Sequence, residues 1–228
     1  MPKQTITIII PTLNEEETIA YIIERCKPFG DEILVVDGHS TDRTTAIAAD
    51  LNVTVLTDNG KGKGAAIRLA LTVASGDIVV FIDADGSHDP RDIPCLIEPI
   101  VNGDADHVTG SRILGGSSEL FGGFDEFMRL AGSSFITECI NWRFKTKLSD
   151  SQNGFRAIKR DVALKLDLKE NITTIEQEMV MRTLKCGYRM AEVPSHEQKR
   201  FVGPSKIKLG KVWFRYGYSL FKYLFFVL

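Results

Sequence analysis

Two aspartates one residue apart, Asp83 and Asp85, follow an apolar run in the segment Val79–Pro90, VVFIDADGSHDP. Carboxylates are seldom placed at the end of a core strand for packing. A side-chain period of two puts both on one side of the strand end, where they can share one cation. Hard oxygen ligands suit Mg²⁺ or Mn²⁺, and Mg²⁺ is usually held by one or two carboxylates together with substrate phosphates. A structural reading stands beside this one. Gly86 and Pro90 both favour a turn, so the pair could be a capping Asp beside a turn Asp. The tripeptide alone leaves both readings open.

The elements that must position these aspartates can be read from the patterning. Strands are expected over Thr5–Ile10, Glu32–Val36, Val53–Leu56, Ile78–Ile82 and Ala105–Gly110. Helical stretches lie between them, near Glu16–Cys26, Arg43–Asp50, Lys63–Ala74 and Arg91–Val101. Ser40 or Thr41 is a candidate cap for the second helix. Alternation of strand and helix implies an α/β fold, a mostly parallel sheet flanked by helices. Ligands then bind in the crevice at the carboxyl ends of the strands. Pro11, Asp37, Asp83 and Asp85 all fall at such ends.

Three segments join the acidic one. Ile6–Thr12 (ITIIIPT) leads into Leu13-Asn14-Glu15-Glu16-Glu17, Glu32–Asp42 reads EILVVDGHSTD, and Gly60–Leu71 reads GKGKGAAIRLAL. In order and spacing they resemble the PxxNE, VVDGGSxD, GKGxA and DAD segments of the nucleotide-sugar-binding half of family-2 glycosyltransferases. His39 stands at the usual second glycine of the Asp37 turn, and Gly86-Ser87 replaces the common Leu-Gln. The resemblance implies a GT-A-like fold, and donor contacts from Pro11, Asn14, Glu15, Asp37 (at the nucleobase), Lys63 and Asp83. It also implies a divalent metal, Mg²⁺ or Mn²⁺, on Asp83 and Asp85, with Ser87 at the place of a Gln that reaches the metal. Gly60–Gly64 is not a phosphate-binding P-loop, because Ala65 stands where the GxxxxGK[ST] pattern needs Ser or Thr. The segment reads either as a turn with solvated lysines or as a helix N-terminus with Lys63 near a diphosphate.

The second half bears on the acceptor. Gly110-Ser111-Arg112, Arg129 with Ser133, DSQNGFR (150–156), IEQEMVMR (175–182), GYRMAEVP (187–194) and RFVGPSK (200–206) follow in turn. This series resembles the polyprenyl-phosphate glycosyltransferases of the dolichol-phosphate mannose synthase type. That resemblance implies Arg200 and Lys206 near the donor diphosphate, and Arg112, Arg129 and Ser133 at the acceptor phosphate. Asp85, Arg112 and Arg200 would then carry the reaction. Guanidinium forks suit phosphate oxygens, although Arg112 could also be a solvated strand end. Arg129 and Ser133 lie four apart and share a helix face. Glu176 and Glu178 are either first-turn carboxylates favoured by the helix dipole or groups that act on substrate. Gly154-Phe155 reads as structural, and the four histidines as non-catalytic.

The chain has 228 residues, 43% hydrophobic and 25% charged, with net charge −2. Such a composition argues against disorder and gives no electrostatic reason to expect nucleic acid. Four scattered cysteines show neither zinc spacing nor a disulfide framework, which suggests a reducing compartment. The N-terminus lacks a signal-peptide layout. Residues 1–210 are expected to form one glycosyltransferase domain, and 211–228 a C-terminal helix. From Trp213 the sequence runs WFRYGYSLFKYLFFVL, sixteen residues against the roughly 20 needed to span a bilayer. Aromatic residues bordered by Arg and Lys suit a membrane interface, whether bilayer or small transmembrane partner subunit; a core-packed helix is the alternative.

The expectation is therefore metal-dependent, inverting transfer of a sugar from a nucleoside diphosphate sugar to a dolichyl or undecaprenyl phosphate. The donor would be of the GDP-mannose or UDP-glucose type, and the place the cytoplasmic face of a membrane. Transfer to a sugar hydroxyl, nucleotide-sugar synthesis and a non-catalytic nucleotide-sugar-binding subunit are the alternatives.

Overall fold

The computed structural model describes residues 4–118, 124–201 and 209–226. The first half alternates as expected: β1 (Ile6–Thr12), α1 (Ile19–Cys26), β2 (Glu32–Asp37), α2 (Thr44–Asp50), β3 (Thr54–Thr57), α3 (Lys63–Val73), β4 (Ile78–Phe81). A 3₁₀ turn at Pro90–Asp92 leads into α4 (Ile93–Val101) and β5 (His107–Ser111). The second half adds α5 (Arg112–Gly115), α6 (Phe124–Phe144), β6 (Arg156–Lys159), α7 (Arg160–Lys165), α8 (Ile175–Lys185), β7 (Met190–Pro194) and α9 (Leu209–Phe225).

Among the described residues, seven strands form one sheet in the order β3-β2-β1-β4-β6-β5-β7. Every pairing is parallel except those of β6, which runs antiparallel to β4 and β5. β1, β2, β4 and β5 therefore all end at one edge of the sheet. Because β6 is reversed, it starts at that edge, and the segment before it, Asp150–Phe155, arrives there too. Ile8, Ile10, Val35 and Val80 pack against α1 and α4 on one face. Ile9, Leu34, Val36 and Phe81 pack against α3, α7 and α8 on the other. Strands buried on both faces read as near-continuous apolar runs, which is why they were legible.

Three details depart from the sequence reading. β1 continues through Pro11 to Thr12, because pairing with β4 ends at Ile9 and only β2 accompanies it further. A proline is tolerated where one side of a strand no longer needs its N–H. Neither Ser40 nor Thr41 caps α2. The Ser40 hydroxyl accepts from the Asn14 N–H (2.8 Å), and the Asp42 carboxylate takes the Thr44 N–H (3.0 Å). β6 and β7 were not anticipated, since four- and five-residue strands interrupted by Arg, Lys and Glu carry little alternation.

Gly64 shows how closely the layers approach. A Cβ on it would fall 2.4 Å from the Glu170 carbonyl oxygen. Glycine-to-alanine inside a helix ordinarily stabilises by up to about 1 kcal/mol. Here the clash is with backbone, so Gly64→Ala is expected to destabilise by about 2 kcal/mol or more. A urea denaturation midpoint unchanged or raised in Gly64→Ala contradicts this packing.

Candidate functional site

Hydrogen bonding along β4 stops at Phe81, and only the Ile82 N–H still reaches the Ile9 carbonyl (3.1 Å). Asp83 and Asp85 thus sit on the turn beyond the strand. Turn geometry, not strand alternation, brings them to the cleft. The Asp85 carboxylate is buried; one oxygen accepts from the Ser87 N–H (3.0 Å) and the other lies 3.2 Å from the Arg200 guanidinium. The 198–201 segment runs alongside this turn. Gln198 N–H donates to the Ser87 carbonyl (2.8 Å) and Phe201 N–H to that of Asp85 (3.2 Å). Gly86 has φ +78°, and a Cβ there would lie 2.9 Å from the Phe201 ring. That contact explains a glycine where the resemblance has leucine.

Lys63, the first residue of α3, reaches across to this turn. Its ammonium is 2.6 Å from Asp83 and 2.9 Å from Glu176 in the first turn of α8. Burial opposes ionisation of Asp83, but the Lys63 charge and hydrogen bond outweigh it and hold the carboxyl below its usual range. Burial likewise disfavours the Lys63 ammonium, and the two carboxylates reverse that, raising it above an ordinary lysine. A Cβ on Gly154 would fall 2.8 Å from the Lys63 nitrogen and 3.1 Å from an Asp83 oxygen. The trio therefore rests on bare backbone. Glu178 is a structural carboxylate: it accepts from the N–H groups of Lys169 and Glu170 and from Arg182.

Arg112 opens α5 immediately after β5. Its Nε and Nη2 donate to the two oxygens of Asp150 (2.6 and 3.0 Å), and its Nη1 to Glu197 (3.4 Å). Three of the five N–H donors of this guanidinium thus meet carboxylates. It is half-buried and remains charged, because desolvation is outweighed by Asp150. Asp150 is itself fixed, since the Glu192 carboxylate of β7 accepts its N–H (2.8 Å) and that of Ser149 (2.6 Å). Arg129 and Ser133 lie on α6, both half-buried. Thr137, one turn beyond Ser133, shares a 2.9 Å hydrogen bond with Ser151, so α6 is hooked to the segment that holds Arg112. The Arg129 Nε has no hydrogen-bond partner among the described residues.

Asp37 ends β2 beside Thr12 at the end of β1. One of its oxygens accepts from the Ser40 N–H (3.0 Å); the other is buried with no partner among the described residues. Asn14 ties β1 to the α2 turn, its side-chain oxygen accepting from the Thr41 N–H (2.8 Å). Glu15 does the same through its own N–H, donated to the Thr44 hydroxyl (2.8 Å). Pro11 sits in β1 just before this turn. Lys206 lies outside the described residues.

Sequence reasoning assigned no role to Asp150, Glu197, Glu192 or Arg156. The buried Arg156 guanidinium donates to the carbonyls of Asn153 and Glu176, both 3.0 Å, so it clamps the first turn of α8 to the cleft. Burial pushes its pKa down to about 10. Their signal was present in the DSQNGFR and AEVP segments, but only the fold shows which cation each carboxylate holds. His88, read as non-catalytic, is buried and stacked on Phe155 at 5.0 Å. Burial keeps it below its ordinary pKa. Among the described residues, no group of three His, Cys, Asp or Glu is placed to hold a metal.

Residues 7–166 match the sequence profile of Glycosyl transferase family 2. The chain is 33% identical over 195 residues to the low-salt glycan biosynthesis hexosyltransferase Agl6 of Haloferax volcanii, covering 83% of this chain and 47% of that one. It thus spans about half the length of that relative. A dolichyl-phosphate hexose transferase of the same organism is 27% identical, over 89% of this chain and 86% of its own. Among solved structures, glucosyl-3-phosphoglycerate synthase of Mycobacterium tuberculosis, crystallised with Mn²⁺, UDP and phosphoglyceric acid, aligns with TM-score 0.77 at 23% identity. The alignment covers 99% of this chain and 80% of that one and shows the fold.

The charge pairing makes acid stability testable. Asp83 and Asp150 both have carboxyls held below their usual range. Their stabilisation is complete above the ordinary carboxylate pKa, about 4, and is lost as pH falls from there through the lowered values. Asp150→Asn leaves Arg112 without its main buried counter-ion and is expected to cost about 3 kcal/mol at pH 7. The slope of stability against pH should flatten below pH 4. Urea melts at pH 7, 5 and 3 measure both; a parallel loss at all three assigns the cost to something other than the ion pair.

Proposed function

The chain belongs to Glycosyl transferase family 2, and from that premise we propose that it transfers a hexose, with inversion, from a nucleoside diphosphate sugar to a polyprenyl phosphate. The observation that carries this reading is the meeting of Asp83 and Asp85 with Lys63, Arg112 and Arg200 at one edge of the sheet. Such a set of alternating charges suits a ligand that brings both phosphates and a metal.

The residues fit a divalent cation that takes the rest of its ligands from phosphate and water. Two hard carboxylates lie one residue apart on the turn after β4, and Mg²⁺ is commonly held by one or two carboxylates with phosphates and waters. Asp83 and Asp85, with Ser87, would hold Mg²⁺ or Mn²⁺, and the metal would neutralise the departing diphosphate. Asp37 offers its unpartnered oxygen to a nucleobase N–H, with Pro11, Asn14 and Glu15 shaping that end of the cleft. Lys63, Arg200 and Lys206 meet the diphosphate; a GDP-mannose or UDP-glucose type of donor fits this set.

Arg112, Arg129 and Ser133 receive the acceptor phosphate. A phosphate monoester is largely dianionic at neutral pH, its second pKa being about 6, so it attacks without a general base. A second reading is transfer to a hydroxyl. It is favoured by the carboxylates already held by Arg112, which leave it fewer donors for phosphate.

The membrane reading rests on α9 and α6. Phe214, Tyr218, Phe221 and Phe225 form an exposed stripe on α9, while Leu220, Tyr223 and Leu224 on its other face are buried against Ile140, Val180 and Met181. Met128, Phe135 and Trp142, seven apart on α6, are exposed as well. Arg215 and Lys145 border these aromatics, as at a lipid interface. No helix among the described residues is long and apolar enough to cross a membrane. The proposed place is the cytoplasmic face of a membrane, against lipid or a small transmembrane partner.

Asp85→Ala is expected to lower turnover roughly a thousandfold or more with the fold retained, and EDTA to do the same. Turnover should fall below about pH 6 as the acceptor phosphate gains a proton. The deciding assay offers a radiolabelled donor to polyprenyl phosphate, the matching polyprenol and free sugars. Efficient transfer to a hydroxyl with none to the phosphate promotes the second reading.

Phe214→Ser/Tyr218→Ser/Phe221→Ser should abolish flotation with anionic liposomes and leave the melting temperature nearly unchanged, because those side chains are exposed. Flotation undiminished in this variant removes α9 from the interface.

A further inference from the structure

The segment Leu168–Thr174, between α7 and α8, has no strand or helix of its own, yet three helices are bonded to it. From α8, the Glu178 carboxylate accepts the N–H groups of Lys169 (2.8 Å) and Glu170 (2.7 Å). From α3, the N–H groups of Gly64 (2.8 Å) and Ala65 (3.2 Å) donate to the Asn171 carbonyl. Arg68 of the same helix donates to the Glu170 carbonyl and to the Asn171 side chain. From α9, the Tyr216 hydroxyl donates to the Thr173 hydroxyl (2.6 Å), and the Lys222 ammonium to the Glu170 carboxylate (3.1 Å). The Tyr216 carbonyl also accepts from the Gln177 amide (3.1 Å).

Two residues of the candidate site are the immediate neighbours of these bonds. Lys63 precedes Gly64, whose N–H is tied to the strap. Glu176 precedes Gln177, whose amide is tied to α9, and the Lys63 ammonium links Glu176 to Asp83. The half-buried Tyr216 phenol lies close enough to Glu176 and Lys63 to feel their charges; desolvation first, and Glu176 next, push its pKa up to about 12. A helix whose outer face is aromatic and exposed is therefore joined by two side-chain hydrogen bonds to the strap, at Thr173 and Glu170, and by a third to Gln177, next to Glu176.

We propose that Tyr216 and Lys222 are positioning residues for the donor site. Acting through the 168–174 strap, they fix Lys63 and Glu176, so that the seating of α9 sets how tightly the diphosphate of the donor is held. This rests on the proposed reading of Lys63 as a diphosphate contact. Neither residue is assigned a contact with the donor itself. Coupling of this kind is reciprocal: whatever steadies α9 tightens donor binding, and a bound donor steadies α9.

The test needs no membrane. Tyr216→Phe removes one hydrogen bond and keeps the ring, and Lys222→Met removes another and keeps the stem. Calorimetry with UDP and with GDP, each with Mn²⁺, is expected to show affinity about fivefold weaker in each variant, the effect of one net hydrogen bond. Lys222→Arg should restore part of it. At saturating donor, turnover should stay within about twofold, so that the loss appears in KM and not in kcat. Without any ligand, amide exchange in residues 62–68 and 168–174 should quicken in both variants, while exchange in β1 and β2 does not. Parent-like affinity together with parent-like exchange overturns the proposal, as does a general loss of stability in which exchange rises everywhere. If the intact protein binds neither nucleotide, the donor-site reading is what has failed. The exchange experiment then decides by itself whether α9 positions Lys63.

Discussion

One ammonium group organises the cleft. Lys63 lies between Asp83 and Glu176, and each of the three would be costly to bury alone. An isolated buried carboxylate would take up a proton and lose its value as a metal or phosphate-directed group. The cation keeps Asp83 ionised against burial. Geometry follows from the same contact. Gly154 must lack a side chain so that the trio can rest on it, and Gly64 must lack one so that α3 can approach the strap. Two glycines, two helices and the turn after β4 are thus placed by a single ion pair with two acceptors.

A second cation, half-buried between carboxylates, is built by the same logic. Arg112 is surrounded by Asp150 and Glu197, and Glu192 holds Asp150 in place through two backbone N–H groups. Breaking such a pair is far more damaging than never having made it, because the partner is left buried and unpaired. The arrangement preorganises the guanidinium and spends much of its donor capacity at once. Arg129 differs: its Nε has no partner among the described residues, and it lies on a helix attached to the Arg112 segment through Thr137 and Ser151. The two arginines therefore differ: Arg112 is held by carboxylates, and the Arg129 Nε–H meets none among the described residues.

α9 does two jobs with one sequence. Its inner face joins α6 and α8 in a hydrophobic cluster, so removing the helix would uncover Ile140, Val180 and Met181. Its outer face carries aromatic side chains to the surface. An aromatic run that is apolar on both sides could be either core or interface by composition; packing buries one side and leaves the other exposed. For this reason surface substitutions are more informative here than truncation.

The first half of the fold was legible because its physics is local. Strands buried on both faces are written as unbroken apolar runs, and the turns that end them are marked by Asp37 and the Asp83–Gly86 segment. Alternation of strand and helix pointed to Asp37, Asp83 and Asp85 gathering at one edge, and left Lys63 either solvated in a turn or near a diphosphate. The sequence could not show β6 running backwards between β4 and β5, because direction is a property of pairing and not of a four-residue segment. That reversal carries Asp150 to Arg112 and Gly154 under Lys63. The ion pairs of the site join positions 38, 85 and 113 residues apart, and no local pattern encodes such a choice of partner. Chemistry was decided by residue type and spacing. Which charge neutralises which was decided only when the sheet closed, because the energy of a buried ion depends on its neighbours in space.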